Sequence, residues 1–426
     1  MQTQLAPEFL GTPDGEAAEA ILRKCVHCGF CTATCPTYQL LGDELDGPRG
    51  RIYLMKQVFE GAPPTRATQL HLDLCLTCRN CESTCPSGVQ YGQLVDIGRR
   101  AVAARVPRSP AERATRWLLK EGLTSPLFAP AMRLGQALRP LLPDVLKAKV
   151  PQAASTLQAA RARRWPTRSH DRKVLMLMGC VQPAMSPNIN AATARVLDAA
   201  GIQVLVAPEA GCCGALRLHL DDTEGGLADM RRNIDAWWPW VAGLTEGGTV
   251  EAIVMNASGC GVTVKDYGHA LAHDPAYADK AARVSALTRD LSELLPVVLP
   301  EWQARLAAQP AAPAGGPLLF HPPCTLQHGQ QLRGGVEAAL RALGFEVRLA
   351  VTDSHLCCGS AGTYSVLQPV LSTSLRERML AALAAAHPAP QAIVSANIGC
   401  IQHLQGGTAT PVRHWVELVD ERLIPA

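Results

Sequence analysis

Two stretches in the second half of the chain repeat one order of apolar and polar positions. Each begins with a short apolar run that leads to a cysteine, Val174-Leu-Met-Leu-Met in the first and Leu318-Leu-Phe in the second. An amphipathic segment follows, with Ala194, Val196, Leu197 and Ala200 before Gly201, and Val336, Ala339, Leu340 and Leu343 before Gly344. Apolar positions at intervals of three and four predict a helix, and a glycine just past the last of them predicts its end. A second apolar run comes next, Ile202-Gln-Val-Leu-Val or Phe345-Glu-Val-Arg-Leu, then a further helical stretch. A third run, Ala252-Ile-Val-Met or Ala392-Ile-Val-Ser, closes each copy. Strands alternating with helices predict right-handed crossovers and a parallel sheet in each copy.

The first half has no such alternation. Ile52, Met55, Val58 and Phe59 recur at helical spacing between Leu40 and Glu60, so a helix is predicted there. From Arg99 to Lys173 the chain holds 17 Lys and Arg against 4 acids, with Trp117, Leu118, Leu119, Leu123, Leu127 and Phe128 among them. A basic segment with apolar patches suits an anionic membrane surface, an acidic partner subunit or a solvated connector, and the sign pattern does not choose among them. The expected organisation is a helical module over residues 1–100, a basic helical connector over 101–172, repeats over 173–280 and 317–426, and a helix and linker over 281–316.

Composition adds limits. Hydrophobic residues make up 47% of the chain, enough for a sizeable core, and the formal net charge of +3 gives no ground for a nucleic-acid partner. No uncharged apolar run reaches the length of a membrane-spanning helix, and nothing at the start resembles a signal peptide. Sixteen cysteines then point to metal binding in a reducing cytoplasm rather than to disulfides.

Eight of the sixteen fall into two copies of one spacing: Cys25-Val-His-Cys28-Gly-Phe-Cys31-Thr-Ala-Thr-Cys35-Pro36 and Cys75-Leu-Thr-Cys78-Arg-Asn-Cys81-Glu-Ser-Thr-Cys85-Pro86. This is the run that holds a pair of [4Fe–4S] clusters, in which the last cysteine of each run ligates the other cluster. The expected ligand sets are therefore Cys25, Cys28, Cys31 and Cys85 for one cluster and Cys75, Cys78, Cys81 and Cys35 for the other. Zinc favours paired cysteines and leaves the third thiolate and the Cys-Pro unexplained. The helical insert separating the runs argues for an α-helical two-cluster module, not a small β-rich ferredoxin. His27, Arg79 and Asn80 inside the loops, and Arg49 and Arg51 at the start of the insert, read as solvated, with contact to a cluster or partner as the alternative.

The other eight cysteines are distributed evenly over the repeats: Cys180, Cys212, Cys213 and Cys260 in the first, Cys324, Cys357, Cys358 and Cys400 in the second. Each stands at or shortly after a predicted strand end, where parallel sheets gather functional groups. A further iron–sulfur cluster or metal in each repeat is one reading. Thiol–disulfide or quinone chemistry at the Cys-Cys-Gly triplets, and plain buried cysteine, are the others. Glycines 179, 214, 359 and 399 leave room for close backbone approach. His219, His321 and His355 lie near these cysteines as candidate ligands or proton carriers, with a satisfied loop histidine as the default.

With these residues in view, the chain resembles the iron–sulfur subunits of bacterial glycolate oxidases, most specifically from Cys25 to Leu54 through Gly-Asp-Glu-Leu-Asp-Gly-Pro-Arg-Gly-Arg-Ile-Tyr. The paired cysteine-rich repeats also resemble those of anaerobic glycerol-3-phosphate dehydrogenase, lactate-utilisation proteins and heterodisulfide reductase. The resemblance implies an α+β multi-domain chain in which an α-helical two-cluster ferredoxin module precedes a duplicated α/β parallel-sheet cysteine-rich domain. It further implies two FAD-binding flavoprotein partners that oxidise glycolate to glyoxylate, and a quinone-type acceptor at the inner face of the cell membrane. This chain would be the electron-transfer subunit, without the glycolate-oxidising site. A lactate or glycerol-3-phosphate dehydrogenase subunit is the sibling alternative. In heterodisulfide reductase each repeat ends in Cys-x-x-Cys; here Ala257 and Asn397 stand at the earlier position, against a five-thiolate centre.

Overall fold

The computed structural model describes residues 1–143, 147, 150–153, 155–245, 248–310 and 315–425. The first hundred residues form a helical module. Helices Pro13–Lys24, Pro48–Phe59, Arg66–Asp73 and Tyr91–Ala103 enclose a core of Phe9, Leu22, Ile52, Met55, Phe59, Leu72 and Leu94. The helical spacing of Ile52, Met55, Val58 and Phe59 is met, and all four are buried. Pro36 opens a further helix, Pro36–Leu41, at its first position, where a missing N–H costs nothing.

Each repeat contains a four-stranded parallel sheet. In the first, β1 (Arg172–Met176), β2 (Ile202–Leu205), β3 (Ala252–Met255) and β4 (Thr288–Asp290) lie in the order β2-β1-β3-β4. In the second, β5 (Leu318–Phe320), β6 (Val347–Leu349), β7 (Ala392–Ser395) and β8 (Val412–His414) lie in the order β6-β5-β7-β8. The central strands read as unbroken apolar runs because helices cover both faces of such a sheet. The fourth strands differ from expectation. β4, Thr-Arg-Asp, lies past residue 280, inside the segment expected to be helix and linker, so the first sheet extends to residue 290. A three-residue strand with a polar centre leaves no periodic signal to read.

One hydrophobic core runs through both repeats, from Val174 and Val196 across Trp302 and Phe320 to Trp415. The indole N–H of Trp302 donates to the Val196 carbonyl at 2.8 Å. Helix Asn188–Asp198 packs on helix Trp415–Leu423, and Arg161 and Arg195 both reach the fully buried Asp420 there, at 2.8 and 2.7 Å. Beyond the ends of β3 and β7 the two sheets meet directly: the Ser258 N–H donates to the Ala396 carbonyl at 3.1 Å.

The connector includes helices Pro110–Thr124, Phe128–Leu138 and Thr156–Ala162. Many of its cations are committed within the chain. Arg108 and Arg116 pair with Asp73 and Asp221, and Lys120 pairs with Asp222. Several of its apolar side chains are not: Trp117, Leu118, Leu127, Leu134 and Leu141 are exposed. No described helix is long and apolar enough to cross a membrane.

Candidate metal centres

The two N-terminal loops bend alike. His27 and Thr77 before the middle cysteine, and Gly29 and Arg79 after it, have φ of 56°, 52°, 85° and 59°. Left-handed backbone costs about 1–2 kcal/mol at each non-glycine position, a strain kept where a loop must wrap a ligand. Both loops then run into a short helix, Phe30–Ala33 or Asn80–Thr84, which carries the third cysteine. The cysteine before each proline is extended, as Cys-Pro requires, and turns its thiol toward the other loop. Cys25, Cys28, Cys31 and Cys85 accordingly line one cavity, together with Cys81, and Cys25 and Cys31 each feel the Cys85 sulfur. Cys35 lies with Cys75, Cys78 and Cys81.

Burial raises the Cys25 thiol, pushes Cys31 up to about 11 and raises Cys78 and Cys81 well above the ordinary thiol range, and the neighbouring sulfurs add to each shift. Four such thiols do not ionise together without a cation, and a metal group that displaces their protons suits this donor set. The two sets differ in surroundings. The first is peripheral, with Val26, Cys28 and Phe30 exposed. The second is internal. Tyr91 lies with its hydroxyl 3.6 Å from Cys75 Sγ, and Thr37 Oγ1 is 3.3 Å from Cys35 Sγ.

Several loop residues expected to be solvated are not. Arg51 is almost fully buried: its Nε donates to the His71 carbonyl at 2.7 Å and its Nη1 to Thr37 Oγ1 at 3.1 Å. Asn80 is buried because its amide donates to the carbonyls of Thr34 and His355, both at 3.0 Å. Arg79 joins Glu82 and Asp266. Arg49 pairs with Glu44, and His27 is half-buried. Helical or loop spacing near the motifs carries no sign of these contacts, since most of the partners lie far along the chain. Arg99 leaves no sign in the sequence for the same reason. It donates to the carbonyls of Leu72 and Cys75 and to Thr77 Oγ1, setting a guanidinium beneath the second loop.

In the repeats the structure brings each four cysteines together at the carboxyl ends of the strands. Cys180 lies beside Cys212, Cys212 beside Cys213 and Cys213 beside Cys260. The neighbouring Cys180 and Cys213 thiols and the backbone N–H groups of Gly214 and Leu216 favour the Cys212 thiolate. Cys212 is therefore held far below the thiol range while Cys180 and Cys213 are pushed up. The second repeat forms the same chain, Cys324 to Cys357 to Cys358 to Cys400. Cys358 is pushed up to about 11: the neighbouring Cys357, and more weakly His321, favour its thiolate, but Cys400 and burial outweigh them. Gly214 and Gly359 have φ of 92° and 90°, and an added Cβ would lie 2.8 Å from the Gly226 carbonyl or 2.5 Å from that of Ser372. Only glycine fits both demands.

The helical module rests on both repeats. Arg79 pairs with Asp266 of the first. Toward the second, Ser83 Oγ meets His328 Nδ1 at 3.0 Å and the Tyr364 hydroxyl donates to the Leu74 carbonyl at 3.2 Å. The internal set thereby abuts the second repeat's cysteines: Leu76, Cys78, Cys324, Cys357 and Tyr364 share one apolar cluster. Paired thiol sets in a helical module, joined to two parallel-sheet domains with four thiols each, define an iron–sulfur protein with cysteine-rich repeats. Family models agree: a 4Fe-4S dicluster domain matches residues 21–89, and a cysteine-rich domain matches 174–265 and 318–405. The chain is 53% identical to the glycolate oxidase iron-sulfur subunit of Escherichia coli (strain K12), over 99% of each chain. It is 30% identical to the probable glycolate oxidase iron-sulfur subunit of Bacillus subtilis (strain 168), over 91% of this chain and 89% of that one. Lactate utilization protein A of Bacillus licheniformis is 24% identical over 59% of this chain and all of its own length. The chain belongs to the family of glycolate oxidase iron-sulfur subunits.

Proposed function

We propose that this chain carries electrons from glycolate oxidised on two FAD-binding partner subunits to a quinone-type acceptor at the membrane. Two [4Fe–4S] clusters, held by Cys25, Cys28, Cys31 and Cys85 and by Cys75, Cys78, Cys81 and Cys35, would supply the one-electron chemistry. The observation that carries the reading is the crossed gathering of the thiols, each set completed by the other run's Cys-Pro cysteine. The protein's part is distance, exclusion of water and charge. Exposed Val26 and Phe30 beside the outer set suit a docked flavoprotein subunit. Arg51 and Arg99 place positive charge against the inner set, which favours added electrons there. The cysteines of the repeats are the candidate ligands for further metal, those of the second lying next to Cys78.

The exposed apolar side chains of the connector, Trp117 and Leu118 among them, support peripheral attachment to the inner membrane face. Glycolate is favoured over lactate as the partners' substrate by the extent of the likeness, which spans 99% and 91% of the chain for the two glycolate oxidase subunits and 59% for the lactate protein. The test uses the anaerobically purified chain with its flavoprotein partners. About eight iron and eight sulfide per chain are expected from the N-terminal sets alone, with glycolate-driven quinone reduction only in the complex. Zinc without sulfide, or glycolate oxidation by this chain alone, would overturn the reading.

A further inference from the structure

The two repeats match in their cysteines but not three residues before the first of them. Leu177 stands there in the first repeat, ahead of Cys180, and His321 in the second, ahead of Cys324. Both are buried, His321 at 1% exposure. The main chain of His321 is pinned by its position just past β5: its N–H donates to the Val394 carbonyl at 2.8 Å, and its own carbonyl accepts from Ser395 Oγ at 2.9 Å. Its ring is held differently. Among the described residues no hydrogen bond of normal geometry reaches Nδ1 or Nε2, although both are buried, and the ring interacts instead with the Cys358 thiol, whose thiolate it favours. A buried imidazole without a nitrogen or oxygen partner is destabilising unless another group satisfies it. The ring's polar neighbours are sulfur atoms: one ring nitrogen, Cys358 Sγ and Cys400 Sγ all lie within 4.8 Å of one another.

We propose that His321 is a nitrogen ligand of a metal centre in the second repeat, beside Cys358 and Cys400, so that the two repeats carry chemically different centres. The inference rests on the reading that the second repeat's cysteines bind metal. Imidazole with thiolates suits zinc or iron, and Cys357 and Cys324 continue the same thiol chain as further sulfur donors. Asn397 completes the surroundings, its amide donating to Cys400 Sγ at 3.7 Å. Leu177 leaves the first repeat without an imidazole at the matching position. Where the centre holds iron, an imidazole in place of a thiolate makes it easier to reduce, and where the second repeat meets the inner N-terminal set that difference would give the two repeats unequal places in electron flow.

The experiment takes the full chain, purified anaerobically, as wild type, His321→Leu, His321→Cys and Cys400→Ser. Iron, zinc and sulfide are counted. The coordination is read by ¹⁴N hyperfine coupling in pulsed EPR where the centre holds iron, and by K-edge X-ray absorption where it holds zinc. The signals of the N-terminal clusters report folding in every variant. Nitrogen coordination is expected in the wild type, its loss in H321L, and an all-sulfur shell with retained metal in H321C. Absence of nitrogen from the wild-type centre, or its persistence in H321L, overturns the proposal. If C400S lowers the metal count while H321L leaves the spectrum unchanged, the role of His321 fails and metal binding by the repeat stands. If C400S keeps the wild-type metal count and spectrum, the metal-binding reading falls and takes this proposal with it.

Discussion

Acid should loosen the junction between the helical module and the second repeat, and His328 is the residue that makes it do so. His328 Nε2 donates to the His355 carbonyl at 2.8 Å, which leaves Nδ1 as an acceptor for the Ser83 hydroxyl at 3.0 Å, with Arg333 Nη2 at 3.4 Å. Protonation would remove that acceptor and set a second cation against Arg333. Burial is the main cause lowering this histidine to about 4, from an ordinary value near 6.5. A folded pKa below the open-state value stabilises the closed junction above pH 6.5, and the stability is lost as pH falls through 4. The loss is about 1.4 kcal/mol at pH 5.5, a tenfold rise in opening, and about 3 kcal/mol by pH 4. Amide hydrogen exchange of the intact holoprotein at pH 7.5, 6.5 and 5.5, corrected for intrinsic rates, reads this opening in segments 80–90 and 325–333. Burial raises the carboxyl of Asp266, paired with Arg79 at the other side of the module, and that titration acts in the opposite direction. The His328→Gln variant therefore serves as the comparison, since it keeps a neutral amide and loses the titration. Parallel pH dependence in wild type and H328Q, or no change in the wild type to pH 5.5, would refute the reasoning.

Two other perturbations test the scaffold. Asp420→Asn leaves Arg161 and Arg195 buried around a neutral amide, with an expected loss of about 3–5 kcal/mol. Denaturant unfolding of the metal-loaded chain measures it, and a cost under about 1 kcal/mol would show that the guanidiniums find other partners. Gly359→Ala drives a Cβ to 2.5 Å from the Ser372 carbonyl at a φ of 90°, costing about 1–2 kcal/mol for the backbone alone. It should displace Cys357 and Cys358 and lower metal retention by the second repeat while the N-terminal cluster signals persist; unchanged metal content would contradict the close fit.

The N-terminal ligand sets were the most legible part of the chain. Three thiols at three-residue intervals confine a loop to wrapping one group, and Cys-Pro forbids the helix that would keep the fourth thiol at home. The repeats were nearly as legible, because strands buried on both faces must be continuously apolar. Legibility stopped at β4 and β8, whose register partners Ile253 and Ile393 recruit three-residue segments with polar centres. It stopped again at Arg51, Arg99 and Asn80. Their hydrogen bonds join residues such as Asn80 and His355 that lie 275 positions apart.

Sequence by itself determined the chemistry available here, namely sixteen thiols in four groups of four, since spacing within a loop or after a strand is a local property. Only the tertiary structure decided how those groups relate. Packing of the helical module across the carboxyl ends of both sheets left one N-terminal set at the surface and pressed the other against the second repeat. Folding of the second repeat turned His321, a loop histidine by local reading, into a buried ring among sulfurs. The physical reason is that burial and desolvation depend on what arrives from distant parts of the chain, whereas ligand spacing depends on the few residues between one cysteine and the next.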